Sequence, residues 1–276
     1  MITFPNCKIN LGLDVVSKRA DGYHNLETIF YPLPLTDVLE ITVEDEPDAP
    51  DYTFEMYNAS FNCNSEENLV VKAYKLLASE YKLPKVKISL FKHIPTGAGL
   101  GGGSADAAFA LKMLNEIGRL SLTDEQLEEY AARLGADCAF FIKNRPAFAQ
   151  GIGNILSPIE CSLKGYHIVV VKPELHISTK EAYSFVRPSQ PMVSLQDIAP
   201  RPVNMWRSSM KNDFEISAFA IHPEMQQIKE KLYNLGAFYA SMSGSGSAFY
   251  GIFEKEVSKE QLKEIFPGNF IWQCNL

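Results

Sequence analysis

Apolar and polar residues alternate in several short stretches of this chain and recur every three or four positions in others. Over residues 7–15, Ile9, Leu11 and Leu13 fall on one side of an extended chain, which predicts a strand. Lys8 and Asn10 fall on the other side. Alternation by itself favours a solvated polar edge there, and two polar groups acting on one ligand are the other reading. Residues 37–43, 85–91, 166–171 and 248–253 read as further strands. Helical spacing marks 68–81 (Leu69, Ala73, Leu76, Leu77), 104–117, 123–134, 179–186 and 223–235. The 104–117 helix is apolar on most sides, so it belongs in a core. Strands with half-buried alternation interspersed with helices define an α+β chain.

Immediately before that helix lies Pro95-Thr96-Gly97-Ala98-Gly99-Leu100-Gly101-Gly102-Gly103-Ser104, with five glycines in seven residues. Glycine tolerates positive φ and lets a ligand approach bare backbone. A helix N-terminus, here with Ser104 as the N-cap candidate, offers unpaired N–H groups and partial positive charge. Together they suit phosphate. The dinucleotide fingerprint is matched in letters only, because the acid at the right distance, Glu116, falls within a helix. The P-loop pattern fails for want of a lysine after the last glycine. A plain packing turn is the competing reading.

Other stretches carry candidate chemistry. Arg19-Ala20-Asp21-Gly22-Tyr23-His24 is a turn dense in functional side chains. Gly135-Ala136-Asp137-Cys138 sets an acid before an apolar run, where a helix cap is the commoner outcome and a buried functional carboxylate the alternative. Thr123 with Gln126 reads as a helix start. Residues 147–158, with Gly151, Gly153 and Pro158, read as a crossing between domains. Ser243-Gly244-Ser245-Gly246-Ser247 is a hairpin loop or a second phosphate contact. Lys92 reads equally as a phosphate contact and as a solvated lysine.

Composition narrows the field. A length of 276 residues allows one large or two modest domains. A net charge of −7 argues against a nucleic-acid or membrane surface as partner, while leaving small anionic substrates open. Cys7, Cys63, Cys138, Cys161 and Cys274 show neither metal-ligand spacing nor a disulfide framework. Cys7 and Cys138, flanking Lys8 and Asp137, read as packing residues. No basic-then-apolar leader and no membrane-length apolar run occur, so the expected compartment is the cytoplasm.

Three blocks stand in a fixed order: Pro5-Asn6-Cys7-Lys8-Ile9-Asn10-Leu11, the glycine loop, and Ser243 to Ala248. In this the chain resembles the GHMP kinase superfamily, whose phosphate loop dispenses with the P-loop lysine. The segment from Arg19 to Leu26, with Lys8-Ile9-Asn10 and Gly135-Ala136-Asp137, is similar to the branch that phosphorylates the 2-hydroxyl of a cytidine-diphosphate methylerythritol. That branch serves isoprenoid precursor synthesis without mevalonate. Ala105 departs from the second serine common in the family, and Thr96 and Ala98 replace residues that are often methionine and glycine.

The resemblance implies a two-domain fold with residues 1–155 as an S5-like α/β sandwich and 156–276 as a ferredoxin-like domain. It implies Asp137 as the base that receives the alcohol proton and Lys8 as its cationic partner. Pro95, Gly97, Gly99, Leu100, Gly101, Gly102, Gly103, Ser104 and Lys92 would bind the ATP phosphates, with Asn68 and Val71 in the adenine region. Asn10, Tyr23, His24 and Tyr183 would bind the cytidine substrate. Mg²⁺ would come with ATP, held mainly by phosphates. A kinase for mevalonate, homoserine or a sugar is one alternative, and a non-catalytic nucleotide-binding module is another.

Overall fold

The structure, a computed structural model, describes residues 1–58 and 64–276; Cys63 lies outside them. The chain folds into two compact units that interleave in sequence. One comprises Met1–Lys8, Pro32–Thr96 and Gly101–Arg145, the other Ile9–Tyr31, Gly97–Leu100 and Pro146–Leu276.

The first unit contains a sheet of β1 (Ile2–Thr3), β4 (Val38–Val43), β6 (Val86–Phe91) and β5 (Tyr52–Tyr57), in that order. β1 and β6 pair antiparallel to β4, and β5 pairs parallel to β6. The alternation at 37–43 and 85–91 works as expected, with Leu39, Ile41, Val86, Ile88 and Leu90 all buried. Helices α1 (Leu69–Ala78), α2 (Gly102–Ile117), α3 (Asp124–Leu134) and the single turn α4 (Phe140–Lys143) pack with one another, and α2 also packs on β4. Seven of the sixteen α2 residues carry buried apolar side chains, Ala105, Ala107, Ala108, Ala110, Leu111, Met113 and Leu114, so this helix is central to its unit. Thr123 and Gln126 close the α3 capping box.

The long strands β2 (Asn6–Lys18) and β3 (His24–Thr36) carry the chain between the units. With β7 (Ala147–Gly151) and β8 (Ile155–Pro158) they form a sheet in the order β2-β3-β7-β8. The Asp21-Gly22 turn joins β2 to β3. Residues 147–158 form the antiparallel hairpin β7–β8, which starts just after the chain passes from the first unit to the second at Arg145 and Pro146. Gly151 at φ +68° makes its turn.

The second unit also holds β9 (His167–Lys172), β10 (Tyr239–Met242), β11 (Phe249–Phe253) and β12 (Phe270–Asn275), in the spatial order β10-β11-β9-β12 and antiparallel throughout. Helices separate β9 from β10 and β11 from β12. Of these, α5 (Thr179–Ala182) and α6 (Leu195–Ile198) are single turns, and α7 (Phe214–Ile221), α8 (Pro223–Asn234) and α9 (Lys259–Ile265) are longer. This is the ferredoxin-like arrangement. Val169, Val171, Met242, Phe249 and Phe253 pack against Phe214, Met225, Leu232 and Leu262 in one core. The helix expected over 179–186 is shorter because its Ser178–Glu181 capping box opens only one turn, ending at Tyr183.

Candidate active site

The glycine run divides at Gly101. In the second unit, Gly97 and Gly99 take positive φ (+62° and +74°). A Cβ on Gly99 would lie 1.9 Å from the Ser243 carbonyl oxygen, so only glycine fits there. The serine-glycine run Ser243 to Ser247 is the β10–β11 hairpin loop, and it holds this stretch in place. Ser243 Oγ donates to the Gly99 carbonyl at 2.8 Å, and the Ala248 N–H donates to the Ala98 carbonyl at 3.1 Å. Asn212 in turn donates from Nδ2 to the carbonyls of Met242 (2.8 Å) and Gly244 (2.9 Å). His176 lies against Gly97, its Nδ1 2.8 Å from where a Cβ would stand. Ser243, Asn212 and His176 carry no spacing signal of their own. The hydroxyl-rich composition of the third block was the available hint.

In the first unit, Gly101 at φ +72° is the N-cap of α2, ahead of the expected Ser104. Gly102 and Gly103 therefore form the opening turn, where backbone N–H groups have no partner within the helix. A left-handed Gly101 reverses the chain one turn earlier than a serine cap could. Its Cβ would meet Phe141 at 3.0 Å and Lys8 Cε at 3.1 Å, so the Lys8 side chain runs directly beside the loop. The Ser104 hydroxyl hydrogen-bonds Cys138, whose thiol burial pushes up to about 11. The thiol is thus a neutral packing group, as is the fully buried Cys7.

Lys8 contradicts the expectation of a solvated edge. It is 2% exposed, and so is Asn10. Lys8 Nζ stands 3.3 Å from Asp137 Oδ2, and the Asp137 side chain keeps 32% of its surface. Asp137 is not a helix cap: α4 starts after Ala139 with no side-chain cap bond. A buried ammonium beside a half-open carboxylate is a pair in which one member can still reach a substrate. In the second unit, Asn10 Nδ2 donates to Thr28 Oγ1 at 2.9 Å, and the Thr28 hydroxyl donates in turn to the Gly12 carbonyl. Thr28 fixes the amide's orientation, a role the sequence did not suggest.

The structure gives Lys92 two partners. Its ammonium, 8% exposed as a residue, bonds Asp106 Oδ2 at 2.6 Å and also Asp37 Oδ2. It is neither solvated nor free. Pro95 precedes the glycines in the turn. Leu100 is buried. Asn68 caps α1 by accepting the Val70 N–H at 2.9 Å, Val71 is fully buried, and Leu69 reaches to 4.0 Å of a Cβ placed on Gly103.

The Asp21 carboxylate organises the β2–β3 turn through Arg19 and the Tyr23 N–H. Tyr23 is 64% exposed. His24 stacks on Tyr183 with ring centroids 4.6 Å apart and planes inclined 20°, and Phe214 abuts Tyr183 edge-on at 4.8 Å. Two of the four residues expected to bind the cytidine substrate are thus in direct ring contact, and one face of Tyr183 is covered by the imidazole.

The model for the GHMP kinases N terminal domain matches residues 68–145, and that for the GHMP kinases C terminal domain matches 201–271. The chain belongs to the GHMP kinases and is a small-molecule kinase. It is 56% identical over 276 residues, covering all of both chains, to a Bacteroides fragilis protein named 4-diphosphocytidyl-2-C-methyl-D-erythritol kinase. A Porphyromonas gingivalis protein of the same name is 47% identical over 277 residues, with 99% of this chain and 98% of the relative covered. Within the GHMP kinases, the chain belongs to the 4-diphosphocytidyl-2-C-methyl-D-erythritol kinase family. A crystal structure of 4-(cytidine 5′-diphospho)-2C-methyl-D-erythritol kinase superposes with a TM-score of 0.83 at 32% identity, covering 99% of this chain and 98% of the other. The Methanococcus jannaschii mevalonate kinase, at 17% identity and a TM-score of 0.69 over 100% and 98% of the two chains, shares the fold.

Proposed function

We propose that this kinase transfers the γ-phosphoryl group of ATP to the 2-hydroxyl of 4-(cytidine 5′-diphospho)-2-C-methyl-D-erythritol. The observation that carries the chemistry is the ion pair of buried Lys8 with half-open Asp137, 3.3 Å apart, in a member of that kinase family. Asp137 receives the hydroxyl proton as the oxygen attacks phosphorus. Lys8 pairs with the acid and stabilises negative charge at the attacking oxygen. Phosphoryl transfer asks mainly for alignment and charge neutralisation, so the rest of the machinery holds groups still.

The backbone N–H groups of Gly101, Gly102, Gly103 and Ser104, at the start of α2, bind phosphate oxygens, with Gly97, Gly99 and Leu100 shaping the loop. Asn68 and Val71 border the adenine. Asn10, oriented by Thr28, hydrogen-bonds the polyol. Tyr183 and Tyr23 supply ring faces for cytosine, and His24 reads its edge. Because His24 covers Tyr183, the base enters by displacing the imidazole or by stacking on its outer face. Mg²⁺ neutralises phosphate charge when bound. The ion would be held mainly by phosphates and water. No helix of the described residues is long and apolar enough to cross a membrane. We assign the reaction to the cytoplasm.

The deciding experiment measures ADP formation by the purified chain with ATP, Mg²⁺ and the cytidine substrate, beside mevalonate and galactose. Turnover with the cytidine substrate alone is expected. Turnover with mevalonate or galactose instead would discard the cytosine pocket and keep the phosphate loop.

A further inference from the structure

Directly behind the start of α2 sits a buried assembly that the reaction above does not use. Asp37 precedes β4, Lys92 follows β6, and Asp106 belongs to α2; they are 0%, 8% and 2% exposed. Asp37 Oδ1 accepts the N–H groups of His93 (2.6 Å) and Ile94 (2.8 Å), which fixes the chain just before Pro95. Asp37 Oδ2 and Asp106 Oδ2 share the Lys92 ammonium. Lys92 Nζ lies 3.4 Å from where a Cβ on Gly102 would be, so the assembly underlies the first turn of the helix. Asp106 follows Gly102 by four residues, about 6 Å along the axis.

The account of charges and bonds is incomplete. Two carboxylates face one ammonium, a net −1 in a buried place. Asp106 Oδ1 is buried with no hydrogen-bond partner among the described residues. An unpaired buried carboxylate oxygen is costly, and a surplus negative charge behind a helix N-terminus opposes an anion in front of it.

We infer that Asp37, Lys92 and Asp106 position the phosphate loop, and that Asp106 takes up a proton from solvent when a polyphosphate binds at the start of α2. The proton adds to the carboxylate, most simply at Oδ1; an O–H bond forms there, the bond to that hydrogen in a hydronium ion or buffer acid breaks, and the assembly passes from net −1 to neutral. The inference rests on the ATP reading above. Burial, opposed by Lys92 and reinforced by Asp37, already raises the Asp106 carboxyl to about 7 in the unliganded protein, so a nearby polyanion acts on a group poised near neutrality. Burial lowers the pKa of Lys92, but Asp106 and Asp37 together outweigh it, and the ammonium stays charged. α1, α3 and α4 also pack on α2, and none of them brings a charged group that acts on Asp106.

The test is calorimetric titration of the full chain with a non-hydrolysable ATP analogue and Mg²⁺ at pH 7, in buffers of different ionisation enthalpy. The expected result is an uptake of about half a proton more by wild type than by Asp106→Asn, since a group titrating at its own pKa is half ionised. Equal uptake by two binding-competent proteins would overturn the inference. If wild type does not bind the analogue, the ATP reading itself fails. If Asp106→Asn does not fold, infrared difference spectra of wild type decide. A protonated-carboxyl band that grows on adding the analogue supports the inference, and an unchanged spectrum defeats it.

Discussion

Lys8 with Asp137 and Lys92 with Asp37 and Asp106 are made of the same side chains, in the same unit, and stand differently toward solvent. Lys8 meets Asp137 at 3.3 Å, and the Asp137 side chain is 32% exposed. Lys92 has two, both closed off from solvent. Exposure of the carboxylate is what separates them. An acid that water can reach can also meet a substrate hydroxyl. An acid sealed beneath a helix can only brace its neighbours or change its own protonation. A lysine–aspartate contact therefore identifies neither catalysis nor structure until the exposure of each partner is known.

Four substitutions and one titration probe this contrast. Asp137→Asn should lower kcat by about 10²–10⁴-fold, the range for losing a positioned base, with little change in melting temperature. Steady-state kinetics with near-normal turnover would remove Asp137 from the role of base. Lys92→Met should behave oppositely. Leaving two buried carboxylates without their cation costs about 3–5 kcal/mol of stability, read by denaturant unfolding. A variant as stable as wild type would mean that the ammonium is not the brace described here.

Gly99→Ala should destabilise by about 2 kcal/mol or more, because the methyl group collides with the Ser243 carbonyl in a left-handed backbone. The weakened loop should also raise KM for ATP. Tyr183→Ala should raise KM for the cytidine substrate by about 10–100-fold, the worth of one base–aromatic stack, and leave KM for ATP alone. Equal effects on both substrates would point to general loss of packing.

The smallest effect is the pH dependence of stability. In the unfolded chain Asp106 ionises near its ordinary value of 3.8, whereas in the folded protein it holds its proton to about 7. The folded state binds more protons between these values, so this group's contribution to stability falls as pH rises from about 4 through about 7. The unfolding free energy of wild type minus that of Asp106→Asn should decline across this window. A flat difference would show that Asp106 does not titrate there.

The local structure around the candidate site was readable from sequence because its logic is local. The glycine loop, the helix after it, the Asp-Gly turn and the Thr123–Gln126 capping box each depend on residues a few positions apart. Seven of the twelve strands among the described residues went unread, three of them for a related reason. In β3, apolar residues such as Ile29, Phe30 and Leu33 lie beside partly buried ones and dilute the alternation. β10 and β12 are short or edge segments, with Tyr239–Met242 buried on both faces, so no period of two survives. Misreading Lys8 and Asn10 as a polar edge came from the alternation rule, which knows nothing of what is packed over the second face.

The sequence alone determined which backbone could bend at Gly99 and Gly101, which segment would be a central helix, and, by resemblance, which kinase family the chain joins. Tertiary structure decided which lysine meets which acid. It closed Lys92, read equally as a phosphate contact and as a solvated lysine, between two buried acids, and exposed Asp137 while sealing Asp106. The physical reason is that ionisation and reactivity depend on solvent exposure and on the nearest opposite charge. Both are set by residues far apart in the chain, such as Asp37, Lys92 and Asp106, that only folding brings together.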